Sequence, residues 1–292
     1  MSTPILKWAG GKRKLSERIA SLAPPEFHTY HEPFFGGGAV FFTLCGEGRI
    51  GRSVLNDLNT DLIDTYRAIR DDVNSVAAEL DLLASEYLSA PYEHRSTIYY
   101  RVRGAKPPSG PARAAWLIFL NRTCFNGLYR VNRSGEFNVP HGDYVNPRIL
   151  DKEALLAANA CFRNAEFNSE DFEIACRRAR AGDFVYLDPP YQPLTATANF
   201  TSYTSEDFGE ADQIRLRDEF EELTRRGVAA VLSNSSHPLV MELYDGRGFT
   251  LEEVLMARAI NSAGDGRAPI PELLISNLSR PEVGHAFSSS PK

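Results

Sequence analysis

The chain has 292 residues, 43% of them hydrophobic, and a formal net charge of −6, enough for one large domain or one domain carrying an insertion. Its longest apolar run, residues 114–120, is far too short to cross a bilayer, and residues 1–4 carry no basic and apolar leader, so a soluble cytoplasmic protein is expected. Cys45, Cys124, Cys161 and Cys176 are scattered without metal-ligand spacing, which predicts reduced core cysteines with neither a disulfide nor a metal.

Net acidity argues against a nucleic-acid ligand only on average. Residues 94–150 hold nine basic side chains (Arg95, Arg101, Arg103, Lys106, Arg113, Arg122, Arg130, Arg133, Arg148) against two acidic ones (Glu136, Asp143), a local +7 that leaves −13 for the remainder. Local field governs phosphate binding, so a basic module in an acidic body is expected; the competing reading is an arginine-rich solvated face.

In chain order, Lys7-Trp8-Ala9-Gly10-Gly11-Lys12 is a glycine turn between two lysines, leading into an amphipathic helix over residues 15–22. Backbone N–H groups at such a helix start bind anions, but P-loop spacing is missing. A strand over 29–33 runs into Phe34-Phe35-Gly36-Gly37-Gly38-Ala39 and an apolar helix from residue 40. Strand, glycine turn and helix in that order open a cofactor site in a doubly wound sheet, although Gly-x-Gly-x-x-Gly is not matched. A second strand, 53–56, ends in Asp57, 20 residues after Gly37, where a carboxylate accepts from ribose hydroxyls. The combination points to a nucleoside-containing cofactor without a pyrophosphate; capping of a helix that begins near residue 61 is the alternative for Asp57.

Residues 62–100 read as largely helical, 106–111 as a loop and 112–121 as a buried helix. Residues 122–140, with turns at Asn126-Gly127 and Ser134-Gly135, read as a hairpin-like loop in which arginines alternate with aromatic and amide side chains. That mixture suits phosphate contact, base-edge reading and wedging between base pairs. A helix over 151–159, a strand centred on Phe167 and a helix opening at Ser169-Glu170-Asp171-Phe172 follow.

The short apolar strand 184–187 stops at Asp188-Pro189-Pro190-Tyr191. Two prolines supply no N–H and cannot extend a ladder, so the chain leaves the sheet with carbonyls free for a ligand. This suits attack by an amine whose lone pair is delocalised: Asp188 and the Pro189 carbonyl accept its two hydrogens, and the Tyr191 ring stacks on the attached base. A plain proline turn is the alternative. Beyond it come a Thr-rich loop, 192–205, long enough to be a lid, a helix over 210–225, a strand over 228–232, another from near Phe249, a loop over 259–271 and a last strand over 272–278.

Lys7 to Lys12, Phe34 to Gly38, Asn126-Gly127-Leu128-Tyr129-Arg130, Gly135-Glu136-Phe137-Asn138-Val139-Pro140, Asp188 to Tyr191 and Ala198-Asn199-Phe200-Thr201 together resemble the Dam family of DNA adenine-N6 methyltransferases, in that order, from residue 7 to about 278. The resemblance implies an α/β fold: a Rossmann-like methyltransferase sheet with helices on both faces, binding S-adenosylmethionine, plus an inserted, mainly helical target-recognition domain with a hairpin loop. The catalytic domain would comprise residues 1–68 and 158–285 and the target-recognition domain 69–157, with a frayed tail at 286–292. Carried onto matching positions, Trp8, Lys12, Phe35, Gly37, Asp57, Asp171, Phe172 and Asp188 would hold the cofactor. Asp188, Pro189 and Tyr191 would hold the flipped adenine, and Lys7, Phe125, Asn126, Leu128, Arg130 and Pro140 would face DNA.

The expected partner is double-stranded DNA, met by a monomer in the nucleoid, in a GATC-like site, with S-adenosylhomocysteine as product and no metal. A cognate restriction endonuclease is not physically required. Phe125 stands where some relatives carry tyrosine and Asp143 where some carry a basic residue, which weakens or moves loop contacts to phosphate. Alternatives are cytosine-N4 methylation, which serine in place of Asp188 would favour, a protein-glutamine methyltransferase, and a non-catalytic DNA-binding module. No cysteine follows a proline, so the covalent route to cytosine C5 is not open.

Overall fold

A computed structural model describes residues 3–8, 10, 12, 15–191, 208–256 and 270–278. Among the described residues, seven strands form one sheet: β1 (Tyr30–Glu32), β2 (Ser53–Asn56), β3 (Ala165–Asn168), β4 (Phe184–Leu187), β5 (Ala229–Ser235), β6 (Thr250–Met256) and β7 (Ile270–Ser276). Their order is β3-β2-β1-β4-β5-β7-β6, parallel from β3 to β5, with β7 antiparallel to both β5 and β6.

Strand β4 is apolar throughout because the sheet is covered twice. Phe184 and Tyr186 enter one buried cluster with Ile19, Phe41 and Phe162, while Val185 and Leu187 enter another with Leu216, Phe220 and Tyr244. Successive side chains point to opposite faces, so a strand buried on both reads as a continuous apolar run.

Helices α1 (Ser16–Leu22), α2 (Ala39–Gly46) and α6 (Lys152–Phe162) supply residues to the first cluster; α7 (Phe172–Arg177), α8 (Glu210–Arg225) and α9 (Pro238–Tyr244) supply the second. The 30-residue α3 (Thr60–Ser89) is capped by Asn59, whose Oδ1 accepts the Leu62 N–H at 3.1 Å, and is interrupted at Asp72 (φ −152, ψ 70). It packs on α5 (Gly110–Thr123), in which residues 114–121 are all buried. A helix buried all round needs no polar stripe. With α4 (Arg95–Gly104), these helices share the first cluster, which runs from Phe35 and Tyr66 to Trp116 and Phe119.

One expectation is overturned. Cys45 and Cys161 form a disulfide across 116 residues of sequence, because α2 and α6 pack together and bring two distant thiols into bonding range. Cys124 and Cys176 are buried free thiols, and burial pushes the Cys124 thiol up to about 11. Other differences are of extent. Strands β5 and β7 span 229–235 and 270–276 rather than 228–232 and 272–278, and the short helix α9, opened by Pro238 after a His237 cap, has no counterpart in the sequence reading. The lid over 192–205, the 198–201 motif, residues 259–269 of the loop and the tail 286–292 lie outside the described residues.

Candidate active site

Strands β1 and β4 pair with each other, yet the chain order reverses between them: β1 continues to β2 on one side and β4 to β5 on the other. Beyond the carboxyl ends of two such strands a crevice opens, because the connections depart in opposite directions. The glycine turn after β1 and the proline turn after β4 both stand at that crevice.

The glycine turn is shaped by close approach. Gly36 (φ +47) and Gly38 (φ +67) are left-handed, and an added Cβ would lie 2.9 Å from the Trp8 ring at Gly36 and 2.5 Å from the Phe35 ring at Gly38. Gly36 is held at both ends: its N–H donates to Asp57 Oδ2 and its carbonyl accepts from the Tyr66 hydroxyl, each at 2.8 Å. Asp57 Oδ1 accepts the Asn59 N–H at 2.9 Å, so Asp57 braces the turn while Asn59 caps α3. Burial pushes the Asp57 carboxyl up, and the two N–H donors pull against that rise. The Phe35 ring faces the core, 5.0 Å from Tyr66, and Gly37 contributes backbone alone.

Asp188 stands in a continuous polar chain. Ser233 donates its hydroxyl to Asp188 Oδ1 at 2.9 Å, and because that proton is committed, the 2.8 Å contact between Tyr186 and Ser233 is supplied by the Tyr186 hydroxyl. Lys12 Nζ lies 3.1 Å from Asp188 Oδ1, 3.5 Å from Glu272 Oε2 and 4.2 Å from the centre of the Tyr191 ring, and it also donates to the Gly10 carbonyl. The Tyr191 hydroxyl donates to Glu272 Oε2 at 2.9 Å. Burial pushes the Asp188 carboxyl up, while Lys12 and Ser233 act against it. The Pro190 carbonyl is taken by buried Gln213, whereas no described residue donates to the Pro189 carbonyl.

Ser233 and Glu272 are missed by the sequence reading. The signal for Ser233 lies in the β4–β5 register: Leu187 pairs with Leu232, which sets Asp188 beside Ser233. Glu272 is delivered by β7, a strand whose neighbours only the folded sheet defines.

Asp171 and Phe172 gather apart from that chain. Asp171 caps α7 and pairs with Arg215 at 2.9 Å, and Arg215 lies 4.8 Å over the Phe172 ring, itself stacked on Phe34 at 5.4 Å.

The segment proposed to face DNA is an exposed loop between α5 and α6. Phe125, Asn126, Arg130 and Pro140 are exposed, Leu128 is half-buried, and Asn126 is left-handed (φ 55). Arg130 is engaged by the loop, donating from Nε to Asn138 Oδ1 at 2.7 Å and from Nη2 to the Asn138 carbonyl at 3.3 Å. Lys7 reaches the loop from the N-terminal segment, its Nζ 4.8 Å from the Tyr144 ring centre. The basic segment is less free than its composition suggests. Lys106 and Arg113 pair with Asp61, Arg101 with Glu86 and Arg148 with Asp151, while Arg95, Arg103 and Arg122 donate to backbone carbonyls. An arginine on a carbonyl keeps its charge, so those three still contribute positive field.

Among characterised proteins, the chain is similar to type II methyltransferase M.MjaIII of Methanocaldococcus jannaschii, 42% identical over 286 residues that cover 94% of this chain and 98% of that protein. It is 40% identical to type II methyltransferase M1.LlaDCHI of Lactococcus lactis, over 94% of this chain and 95% of that one. DNA adenine methylase of Escherichia coli is 35% identical over 92% of this chain and 93% of its own length. The sequence model of the D12 class N6 adenine-specific DNA methyltransferases matches residues 8–260, and the chain belongs to that family.

Proposed function

We propose that the protein moves a methyl group from S-adenosylmethionine to N6 of an adenine flipped out of duplex DNA, within a GATC-like site. The observation that carries the reading is Asp188, hydrogen-bonded through Ser233 and placed at the crevice beside the Gly36 turn. Its carboxylate and the Pro189 carbonyl are the two acceptors an exocyclic amine needs, and no described residue donates to the latter.

A nucleoside donor is supported by the glycine turn at the carboxyl end of β1, which presents backbone there and which Trp8 and Phe35, packed where a Cβ would stand, keep free of side chains at Gly36 and Gly38. S-adenosylmethionine supplies an electrophilic methyl on a sulfonium and leaves as S-adenosylhomocysteine. Trp8, Lys12, Phe35, Gly37, Asp57, Asp171 and Phe172 form the donor-side set, with Asp57 as acceptor for the ribose hydroxyls while it also holds the Gly36 and Asn59 N–H groups. Asp188 and the Pro189 carbonyl accept the two amine hydrogens and concentrate the nitrogen lone pair. That pair forms the new N–C bond as the C–S pair returns to sulfur. Asp188 is the acceptor next to the proton that the methylated amine then sheds. Tyr191 stacks on the base and repays part of the cost of unstacking it, a few kcal/mol. Alignment and charge complementarity supply much of the acceleration.

Residues 69–157 serve as the target-recognition unit and 1–68 with 158–285 as the catalytic unit, acting as a monomer in the cytoplasm. Retention of Lys7, the 126–128 turn and Arg130 supports the GATC-like site. Plasmid incubated with the protein and S-adenosylmethionine should become resistant to nucleases blocked by adenine methylation at GATC and should yield N6-methyladenine on nucleoside analysis. N4-methylcytosine, or no modified base, would overturn the reading.

A further inference from the structure

We propose that Asn121 is a positioning residue for sequence discrimination, clamping Lys7 to the 126–128 turn so that the two segments read DNA as one rigid unit. The inference rests on the reading above, in which both segments face DNA.

Asn121, on the last turn of α5, is 2% exposed. Its Oδ1 accepts the Lys7 N–H at 2.8 Å, and its Nδ2 donates to the Lys7 carbonyl at 2.8 Å and to the Gly127 carbonyl at 3.0 Å. One side-chain amide thus exchanges both backbone bonds of Lys7, as a neighbouring strand would, and holds the turn with its remaining proton. Both donors are in use. The clamp matters because residues 3–8 form no helix or strand, so no ladder of their own fixes where Lys7 sits.

The contact between the two segments is direct as well. Gly127 is left-handed (φ +65), and a Cβ added there would lie 2.4 Å from Lys7 Cδ and 2.9 Å from Lys7 Cβ, so the lysine stem lies against the turn backbone. Trp8 and Tyr129, the residues just beyond, pack their rings 5.3 Å apart, and the Arg122 guanidinium donates to the Ile5 carbonyl. Base-edge hydrogen bonds require side chains held within about half an ångström of their working geometry. A lysine on a free segment does not meet that requirement, whereas one whose backbone and stem are both fixed does.

The test compares wild type, Lys7→Ala, Asn121→Ala and the double variant. Wild type first methylates a plasmid, which is sequenced for modified bases to define its site. Rates are then measured on a duplex with that site and on duplexes each with one base pair replaced, alongside S-adenosylmethionine titrations and thermal melts. Asn121→Ala is expected to relax discrimination at the same base pairs as Lys7→Ala, lowering the cognate-to-variant ratio by about 10-fold or more, with S-adenosylmethionine affinity unchanged. The double variant should show little further loss.

A merely structural amide would lower the melting temperature or the rate on all duplexes alike and leave the ratios intact; that result overturns the proposal. If Asn121→Ala does not fold, Lys7→Ala and Leu128→Ala decide the matter: non-additive losses of discrimination support the clamp and additive losses overturn it. Failure of wild type to modify any plasmid site would remove the functional reading itself, whereas a discriminating wild type with unaltered ratios in Asn121→Ala removes this inference alone.

Discussion

The ammonium of Lys12 lies 3.1 Å from Asp188 Oδ1 and 4.2 Å from the centre of the Tyr191 ring, so a charged nitrogen already donates to the carboxylate that the target amine would use. Lys12 is 5% exposed and is shared with Glu272, which in turn holds the Tyr191 hydroxyl. The Asp188 carboxylate is therefore compensated by Lys12. In the proposed mechanism, a base entering between Asp188 and Tyr191 would require Lys12 to give way or to shift along Glu272.

Asp188→Ala should slow methyl transfer by at least ~100-fold, the usual scale for removing one preorganised polar group. S-adenosylmethionine binding should change little, because Asp188 is proposed to act on the amine and only marginally on the cofactor. Single-turnover rates and calorimetric titration measure the two effects separately; turnover like that of wild type would remove Asp188 from the mechanism.

The acid side of the pH profile follows from the same contact. Burial holds the Asp188 carboxyl above its ordinary value, and Lys12 works in the opposite direction. In the proposed mechanism the working form is the carboxylate, so kcat/KM should fall as pH drops through the Asp188 titration. Lys12→Met removes a lowering influence, raises that titration and should move the acid limb to higher pH. The kcat/KM profile reports groups of the free enzyme, the state in which Lys12 and Asp188 are in contact. An acid limb that stays in place would separate it from this pair.

Asp57→Ala should weaken S-adenosylmethionine binding by about 1.5–3 kcal/mol, the range for hydrogen bonds to a charged acceptor. The structure adds a second expectation: the N–H groups of Gly36 and Asn59 lose their acceptor, so the melting temperature should fall as well. An unchanged dissociation constant in a less stable protein would confine Asp57 to bracing the turn.

Arg130 has two readings that substitution distinguishes. If its guanidinium reads a guanine edge, Arg130→Ala should weaken cognate binding by about 1–3 kcal/mol and relax one base position, whereas loss of a phosphate contact weakens all sequences alike and lowers the salt slope by about one unit. In the structure, Arg130 donates twice to Asn138. Asn138→Ala is therefore the control: equal losses for the two variants would mean that Arg130 acts by shaping the loop. Fluorescence titrations against single-base-variant duplexes at two salt concentrations make the comparison.

The sequence by itself determined what neighbours along the chain decide. Phe184–Leu187 forms a strand because four apolar residues fit a sheet covered on both faces, and Pro189 and Pro190 bring the chain out of that sheet at Asp188. Helix α8 runs over Glu210–Arg225 as its apolar spacing implies, and the glycines after β1 form a turn because left-handed backbone favours them. Tertiary structure alone decided the partners. Lys12, Asp188, Ser233 and Glu272 meet because β4, β5 and β7 lie side by side and the N-terminal segment reaches the crevice. Cys45 reaches Cys161 because α2 meets α6, and the arginines of the basic segment turn to Asp61, Glu86, Asp151 and backbone carbonyls. The physical reason is range. Periodicity and backbone preference act over a few residues of chain and leave their mark in sequence, whereas a hydrogen bond or ion pair acts over a few ångströms of space and exists only once packing has brought remote segments together.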